Sequence, residues 1–260
     1  MDNVSKTLYI PLYGKAYVSR RGLILSDKKA EEIWAAEGFP LRGKAASKWL
    51  AFHMGMRSAV FDEWTREQLR EKSDAVVLHL GCGMDSRVLR VGGCSCWYDV
   101  DFPAVMDERR RYFAETESYH MLSTDLRAEG WLESLPQGNA VVVMEGVSMY
   151  LQPVELQSLL CRLTEHFSAV SLLVDCYTVF GARASRYKNP INDVGVRQVY
   201  GVDRGEELSS GSGLRFVAEH ELTPQRYIAE LRGFEYRFFK ALFAGGAAKK
   251  IYRLFEYESV

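Results

Sequence analysis

Three short runs made almost entirely of apolar residues limit the folds open to this chain. They cover residues 75–80, 140–144 and 170–174. Runs of this length without polar alternation are typical of strands buried on both faces of a parallel sheet. Between the last two runs, residues 153–167 begin with a proline and place leucines on one face of a helix. Strands and helices that alternate in this way predict a doubly wound, mostly parallel α/β sheet.

Four further segments have weaker strand patterns. Residues 97–102 and 119–124 lie between the first two apolar runs. Residues 214–222 and 250–259 alternate polar and apolar side chains, as half-buried strands do. We expect these last two segments to form a hairpin-like antiparallel pair at one edge of the sheet.

The N-terminal part of the chain is predicted to be helical. One helix follows the capping pair Ser26-Asp27 and ends at Gly38, since glycine is favoured just after a helix. A second helix begins at Ser47 and repeats large apolar residues every three to four positions. A helical layer of this kind usually covers another structure.

The sequence therefore divides into a cap and a core within one domain. We assign residues 1–73 to the helical N-terminal cap and residues 74–260 to the core. Within the core, residues 177–213 are rich in glycine and serine and too long for an ordinary connection. We expect this segment to be a lid insertion beside a ligand site.

Composition argues against several classes of partner. The chain has 33 Lys and Arg against 34 Asp and Glu, a formal net charge of −1, so it offers no basic surface for nucleic acid or an anionic membrane. No run approaches the length of a membrane span, and the N-terminus lacks a signal-peptide core. The odd count of 5 cysteines, without a C-x-x-C spacing, predicts reduced thiols and a cytoplasmic location.

A turn with little side-chain bulk follows the first apolar run. Gly81 and Gly83 lie where the backbone of an open parallel sheet approaches a ligand most closely. We expect backbone amides near Asp85, at the start of the next helix, to donate to polar ligand atoms. Asp99 and Asp101, at the end of the next strand, are placed to accept from ribose hydroxyls. Both should face the same side, so their spacing does not choose between them.

Two more acids, Asp125 and Glu145, come just after later strands. Carboxylates at the ends of three successive strands suit a ligand with an amine, ribose hydroxyls and a cationic centre. Ser86 stands where the dinucleotide fingerprint has its third glycine, which disfavours NAD and FAD. A D-x-D metal site is an alternative for residues 99–101, but no further carboxylate or histidine cluster supports it, and no metal is predicted.

Six motifs occur in order along the chain: YGKAYVSRRGLILSD (13–27), MRSAVFDEW (56–64), LGCGMDSR (80–87), DVDFP (99–103), TDLR (124–127) and EGVSMYL (145–151). In combination they resemble the leucine carboxyl methyltransferase and polyketide O-methyltransferase group of class I S-adenosylmethionine enzymes. The resemblance spans nearly the whole chain. It implies a Rossmann-like, seven-stranded methyltransferase sheet with a helical N-terminal cover, and S-adenosyl-L-methionine as the cofactor, with S-adenosyl-L-homocysteine as its product.

The resemblance also implies how the nucleoside would be held. Gly81 and Gly83 would line the methionine half of the cofactor. Asp101, the second acid of DVD, would bind the ribose. Asp125 and Leu126 would hold the adenine.

The methionine part has its own set of implied partners. Glu145 would meet the amino group, and Arg57, together with Lys15, would pair with the carboxylate through charge-assisted hydrogen bonds. The family's A-R-T-R-x-x-D run reads Met56-Arg57-Ser58-Ala59 here, without the second arginine. The cover of the cofactor should therefore differ in detail from that of the family.

The acceptor side is less marked in the sequence. Tyr150 lies where substrate and cofactor should meet. Candidates for contact with an anionic acceptor are Arg186, Tyr187, Lys188 and Asn192. His79 is predicted to be a core residue, and the other histidines, His53 among them, lack a motif partner. The absence of a clear base mildly favours a carboxylate, which is already ionised near neutral pH, or an already acidic hydroxyl as the nucleophile.

These observations predict an S-adenosylmethionine-dependent O-methyltransferase (EC 2.1.1.-) that methylates a carboxylate or hydroxyl of a small molecule. A protein C-terminal carboxylate is the alternative acceptor. From other classes, a nicotinamide-dependent oxidoreductase shares the glycine turn and the acid, and a non-catalytic protein could bind the same cofactor. The oxidoreductase alternative requires a phosphate-binding loop that the chain lacks.

Overall fold

The apolar runs form strands of a seven-stranded sheet. The computed structural model describes residues 8–38, 40–41, 43–93, 96–185 and 198–260. In chain order the strands are β1 (Val76–Leu80), β2 (Cys96–Asp101), β3 (Tyr119–Ser123), β4 (Asn139–Met144), β5 (Ala169–Tyr177), β6 (Leu214–Glu219) and β7 (Tyr252–Ser259). Across the sheet their order is β3-β2-β1-β4-β5-β7-β6.

The first five strands pair in parallel, whereas β7 runs antiparallel to both β5 and β6. The central strands β1 and β4 are buried along almost their whole length, which explains why they lack polar alternation. The antiparallel pair at one edge is present as expected. The pair is not a hairpin, because helices lie between β6 and β7 along the chain. Strand β6 forms the edge of the sheet. The predicted doubly wound, mostly parallel sheet is confirmed.

Helices pack on both faces of the sheet. They are α1 (Tyr9–Arg20), α2 (Lys28–Glu37), α3 (Lys48–Glu71), α4 (Arg87–Val91), α5 (Pro103–Arg109), α6 (Pro153–His166), α7 (Val179–Ser185), α8 (Glu206–Ser209), α9 (Gln225–Ile228), α10 (Gly233–Leu242) and α11 (Gly246–Lys249). One apolar core joins α1, α2 and α3 to the sheet, and a second joins α6 to the opposite face. No helix in the described part of the chain is long and apolar enough to cross a membrane.

The two helices predicted near the N-terminus have the expected boundaries. The side chain of Asp27 caps α2 by accepting from the Ala30 N–H at 2.9 Å, and Gly38 ends the helix with a φ of +56°. Ser47 caps α3. The predicted start and stop of α2 and the predicted start of α3 are therefore confirmed.

Helix α1 is not evident from the sequence because it contains Pro11 and Gly14. Pro11 lies in the first turn, where a missing N–H costs no helical hydrogen bond. At Gly14 the helix passes very close to α3, since a Cβ there would lie 2.6 Å from Cβ of Met54. Both residues that argue against a helix locally are therefore accommodated by the packing of α1 on α3.

Candidate functional site

A cavity of about 900 Å³ opens at the carboxyl ends of the parallel strands. Its floor is formed by the segments that follow β1 to β4, and the end of β5 contributes Tyr177. Residues of α1 and α3 and the segment from Leu242 to Tyr252 form further walls. This is the position at which open α/β sheets bind ligands.

The glycine turn after β1 borders this cavity and requires glycine. Gly81 and Gly83 have φ angles of +66° and +52°, in the left-handed region that other residues rarely adopt. A Cβ on Gly81 would lie only 2.2 Å from Cγ2 of Val147. The turn therefore packs directly against the loop that follows β4.

The amides of this turn are already used within the protein. The Gly83 N–H donates to Oδ2 of Asp101 at 2.8 Å, and the Asp85 N–H donates to the Cys82 carbonyl. Helix α4 begins only at Arg87 and is five residues long. The expectation that amides near Asp85 donate to a ligand is therefore wrong for these two groups, because the acid after β2 and the turn itself satisfy them.

Replacing Gly81 by alanine should lower the free energy of unfolding by about 2–3 kcal/mol, since it combines a left-handed φ with an overpacked contact. Gly38 is a matched control, because its φ of +56° and ψ of +28° are left-handed but nothing lies within 4 Å of a Cβ built there. Gly38→Ala should cost only about 1 kcal/mol. Chemical denaturation of both variants measures the difference, and equal losses would contradict the clash with Val147.

The structure distinguishes the two acids of β2. Asp99 is fully buried and accepts from Trp97 at 2.9 Å, from Tyr119 at 2.7 Å and from Arg109. Asp101 lines the cavity instead, and its two oxygens accept from the N–H groups of Gly83 and Phe102. Burial raises the pKa of Asp101. Asp99 is thus a structural acid, and Asp101 is the one that a ligand can reach.

His79 is part of the same buried network. Its Nε2 lies 3.2 Å from Arg87, and its Nδ1 lies 3.1 Å from Asp99. Because a guanidinium can only donate, Nε2 must accept, and Nδ1–H then donates to the carboxylate. The prediction that His79 is a satisfied core residue is confirmed.

Asp125 and Leu126 line another part of the cavity, after β3. Arg127 donates to the Asp125 carboxylate through its side chain at 2.6 Å and through its backbone N–H at 2.9 Å. The hydrogen bond from Arg127 lowers the pKa of Asp125. Leu126 is buried and presents an apolar surface next to this charged pair.

Glu145 and Arg57 form a buried ion pair in the cavity wall. Nε of Arg57 donates to Oε1 of Glu145 at 3.1 Å, and Nη1 donates to Oδ2 of Asp175 at 2.9 Å. Burial opposes the charge on Glu145, yet Arg57 and Arg87 hold its pKa at about 2. Arg57 thus pairs with two protein carboxylates, while its Nη2 amino group has no hydrogen-bond partner among the described residues.

Lys15 also lines the cavity and is almost fully buried. Its Nζ lies 3.3 Å from Oδ2 of Asp85. The structure therefore brings Lys15, from the first helix, to the same cavity as Arg57 and Glu145.

Behind the cavity lies a cluster of ion pairs that sequence reasoning missed. Arg87 contacts Glu145 and donates to Asp62 at 2.8 Å. Arg90 donates to Asp62 at 2.6 Å and to Asp85 at 2.8 Å. These pairs join α3, the glycine turn and the loop after β4. No local signal reveals them, because most of the partners are 25 or more residues apart along the chain.

Asp175 should make stability depend on pH. Burial raises its pKa from 3.8 to about 6 although Arg57 opposes the shift. A carboxyl with a higher pKa in the folded state stabilises that state below about pH 4, and the contribution is lost as the pH rises through about 6. Relative to Asp175→Asn, the wild type should lose on the order of 2–3 kcal/mol over that range. Denaturation at several pH values tests this, and a constant difference would contradict it.

Glu145 cannot produce this loss, because its lowered pKa has the opposite sign. Its contribution to stability is fully present above pH 4.5 and falls only as the pH drops towards about 2. The two acids therefore titrate in different windows.

The remaining wall of the cavity is mainly apolar and aromatic. Tyr150 lines it from the 3₁₀ turn Ser148–Tyr150. Other members are Leu8, Ile10, Trp49, Met54, Met149, Tyr177, Phe243 and Tyr252. All four candidates for contact with an anionic acceptor lie outside the described residues, namely Arg186, Tyr187, Lys188 and Asn192. His53 also lines the cavity, although no sequence motif singled it out.

Comparison with known proteins identifies the family. The model of the leucine carboxyl methyltransferase family matches residues 8–164. A Streptomyces glaucescens protein, tetracenomycin polyketide synthesis O-methyltransferase TcmP, is 30% identical over 241 residues, which cover 90% of this chain and 89% of that protein. This chain belongs to the leucine carboxyl methyltransferase family. The family resemblance predicted from the motifs is thus confirmed.

Two further similarities agree with this assignment. The S-adenosyl-L-methionine-dependent methyltransferase dpfgK of Gibberella zeae is 33% identical over 186 residues, 64% of this chain and 62% of that protein. The crystal structure of magnesium protoporphyrin IX methyltransferase from Synechocystis PCC 6803 with bound SAH aligns with a TM-score of 0.50 at 11% identity, covering 88% of this chain and 93% of that one. At this identity the structural likeness supports the Rossmann-like methyltransferase fold alone.

Proposed function

We propose that this chain is an S-adenosylmethionine-dependent O-methyltransferase that methylates a small molecule. The observation that carries the proposal is the cavity in which Gly81, Gly83, Asp101 and Glu145 meet. Membership of the family supports it. So do the two relatives, which are named as an O-methyltransferase of polyketide synthesis and an S-adenosylmethionine-dependent methyltransferase.

The residues around the cavity fit the chemistry of this cofactor. Asp101, fixed by two backbone N–H groups, keeps carboxylate lone pairs for ribose hydroxyls. Glu145 carries the negative charge that an amino group requires, and Leu126 offers an apolar surface beside Asp125 for a purine. The glycine turn leaves room where side chains would intrude. We assign these residues to cofactor binding on that basis.

Lys15 and Arg57 complete the proposed cofactor site. Each is paired with a protein carboxylate but retains donors for the carboxylate of the methionine part. The family's second arginine is absent here, so Arg57 is the arginine of that motif. Its Nη2, which has no partner among the described residues, would donate to the carboxylate of the methionine part.

S-adenosylmethionine, when bound, supplies an electrophilic methyl group on a sulfonium. The chain's own contribution is to orient the acceptor and to exclude water, and orientation can be worth roughly 7–11 kcal/mol in favourable cases. The apolar and aromatic wall that includes Trp49, Met149 and Phe243 suits both tasks. Tyr150, in the turn after Glu145, is our candidate for contact with the acceptor.

We further propose that the enzyme is cytoplasmic and does not bind nucleic acid. We keep the predicted division into a cap (1–73), a core (74–260) and a lid insertion (177–213). The free thiols of Cys82, Cys96, Cys161 and Cys176 support a reducing compartment. A small molecule is preferred over a protein carboxylate because the aligned relative TcmP is named for polyketide synthesis. The formal balance of charge supports the absence of a nucleic-acid partner.

Thermal-shift measurements with S-adenosylmethionine, S-adenosylhomocysteine and NAD test the proposed function. We expect stabilisation by the first two and none by the third. A shift with NAD alone would replace the proposal by the oxidoreductase alternative. Incubation with methyl-labelled cofactor and small-molecule extracts then separates an enzyme from a non-catalytic binder, and a base-labile product would indicate a methyl ester.

A further inference from the structure

His53 is a polar side chain in the cavity wall to which the proposed function gives no role. It is half-buried on α3, and its Nδ1 is enclosed by the protein without a hydrogen-bond partner. Within the described residues, Nε2 has no hydrogen-bond partner either. Buried polar atoms are nearly always paired in native proteins, so such an imidazole calls for an explanation. A ligand in the cavity would provide a partner for Nε2.

The position of His53 relates it to the reacting end of the proposed cofactor site. Arg57 follows it by four residues, so the two side chains share a face of α3, about 6 Å apart along the axis. The ring of His53 lies 6.4 Å from the ring of Tyr252, whose hydroxyl is 3.2 Å from Arg57. Arg57 in turn contacts Glu145, our candidate for the amino group. His53 is therefore about one helical turn from Arg57, which is proposed to bind the methionine part of the cofactor.

The cavity wall that His53 shares is suited to a flat ring. Trp49 and Phe243 lie nearly parallel, with centroids 6.1 Å apart, and Tyr177 packs against Tyr252 at 4.7 Å. Aromatic walls of this kind favour aromatic ligands. Titratable groups that line the same cavity are Lys15, Lys44, Arg57, His79, Cys82, Asp85, Asp101, Asp125, Arg127, Glu145, Tyr150, Tyr177 and Tyr252.

The imidazole of His53 is neutral at physiological pH. Burial lowers its pKa to about 4, and the positive charge of Arg57 acts in the same direction. With Nδ1 enclosed, Nε2 is the nitrogen that can reach the cavity. A neutral imidazole protonated on Nδ1 presents a lone pair there.

We infer that His53 is a catalytic residue that accepts the proton of an aromatic hydroxyl acceptor during methyl transfer. This inference rests on the proposed function and narrows its acceptor to a hydroxyarene. The hydroxyl oxygen forms a bond to the methyl carbon while the carbon–sulfur bond breaks, and that electron pair stays on sulfur. The O–H proton passes to Nε2 of His53, and the imidazolium later releases it to water. Because the hydroxyl becomes strongly acidic as the new C–O bond forms, a weakly basic imidazole suffices.

The first test measures binding, independently of turnover. Calorimetry should give His53→Gln and His53→Phe the same affinity for S-adenosylhomocysteine as the wild type. The complex with S-adenosylhomocysteine should bind the probe 2-naphthol roughly 3–10-fold more weakly in both variants, as expected for one lost hydrogen bond. His120→Gln is the matched control, since His120 stacks on Tyr98 in β2, does not line the cavity and should change neither affinity.

The second test measures methyl transfer to 2-naphthol, 2-naphthoate and 4-nitrophenol. The inference predicts transfer to 2-naphthol that falls about 10²–10⁴-fold in His53→Gln. In this variant the rate should rise about tenfold per pH unit as the hydroxyl ionises, and 4-nitrophenol, which ionises most readily, should be affected least. A role in folding alone would not produce this dependence on acceptor ionisation.

Several results would overturn the inference. Equal naphthol affinity and equal transfer in wild type and His53→Gln would do so, as would transfer to 2-naphthoate but not to 2-naphthol. Failure to methylate either hydroxyl probe while S-adenosylhomocysteine still binds would contradict the hydroxyarene assignment and leave the proposed function intact. Failure of the wild type to bind S-adenosylhomocysteine would instead remove the proposed function and this inference with it.

Discussion

Replacement of Asp101 by alanine is expected to weaken S-adenosylhomocysteine binding roughly 100-fold. The carboxylate is held by the N–H groups of Gly83 and Phe102, so it is already oriented for ribose hydroxyls before a ligand arrives. Hydrogen bonds to a charged group contribute about 1.5–3 kcal/mol, and the upper value corresponds to about 100-fold in affinity. Loss of the anchor for Gly83 should add to the effect. Isothermal titration calorimetry gives the affinity directly.

Asp107→Ala serves as the control for this change. Asp107 is an exposed acid on α5, and its carboxylate lies 3.3 Å from the guanidinium of Arg110. We expect no change in affinity for this variant and an intermediate loss for Asp101→Asn, which keeps the shape but not the charge. An Asp101→Ala protein that binds as tightly as Asp107→Ala would show that Asp101 does not contact the ligand.

Arg57→Met is expected to lower the free energy of unfolding by about 3–5 kcal/mol, because it leaves two buried acids without their shared cation. Glu145 and Asp175 both accept hydrogen bonds from Arg57, and their side chains are 5% and 0% exposed. Chemical denaturation near neutral pH measures the loss. Combining Arg57→Met with Asp175→Asn should recover part of it, because the charge of Asp175 is then removed and Glu145 still contacts Arg87.

Arg215→Met is the matched control for an ion pair at the surface. Arg215 in the edge strand β6 lies 3.3 Å from Glu258 in the neighbouring strand β7, and its side chain is 65% exposed. Exposed pairs contribute at most about 1 kcal/mol. If Arg57→Met cost no more than Arg215→Met, the buried pairs would not stabilise the fold as described.

The strands and the glycine turn could be predicted because their signals are local. A strand buried on both faces must be apolar along its whole length, so β1, β4 and β5 are visible as short apolar runs. The left-handed φ of Gly81 and its approach to Val147 exclude a side chain, so the turn is visible as glycine. The fold class and the edge of the sheet that carries the site both follow from these features.

The charge network and the acceptor wall could not be predicted because their partners are distant in sequence. The spacing of Asp99 and Asp101 alone does not choose between the two acids, because it does not reveal that Asp99 accepts hydrogen bonds from Arg109, Tyr119 and Trp97. The pairing of Arg57 with Asp175 spans 118 residues, so the arginine that the motif indicates as a ligand for the cofactor is also a counter-ion for the protein.

His53 was missed for a related reason. No motif surrounds it, and an isolated histidine on an amphipathic helix is usually a core or surface residue. Its significance comes from the cavity that it borders and from its unpaired nitrogen, and both depend on strands far along the chain.

The most direct test of the central claim is a crystal structure of this protein with S-adenosylhomocysteine. The account predicts ribose hydroxyls within hydrogen-bonding distance of the Asp101 carboxylate and the amino group next to Glu145, with the backbone of Gly81 and Gly83 against the ligand. Electron density for the ligand elsewhere, or in this cavity without contact to Asp101, would contradict it.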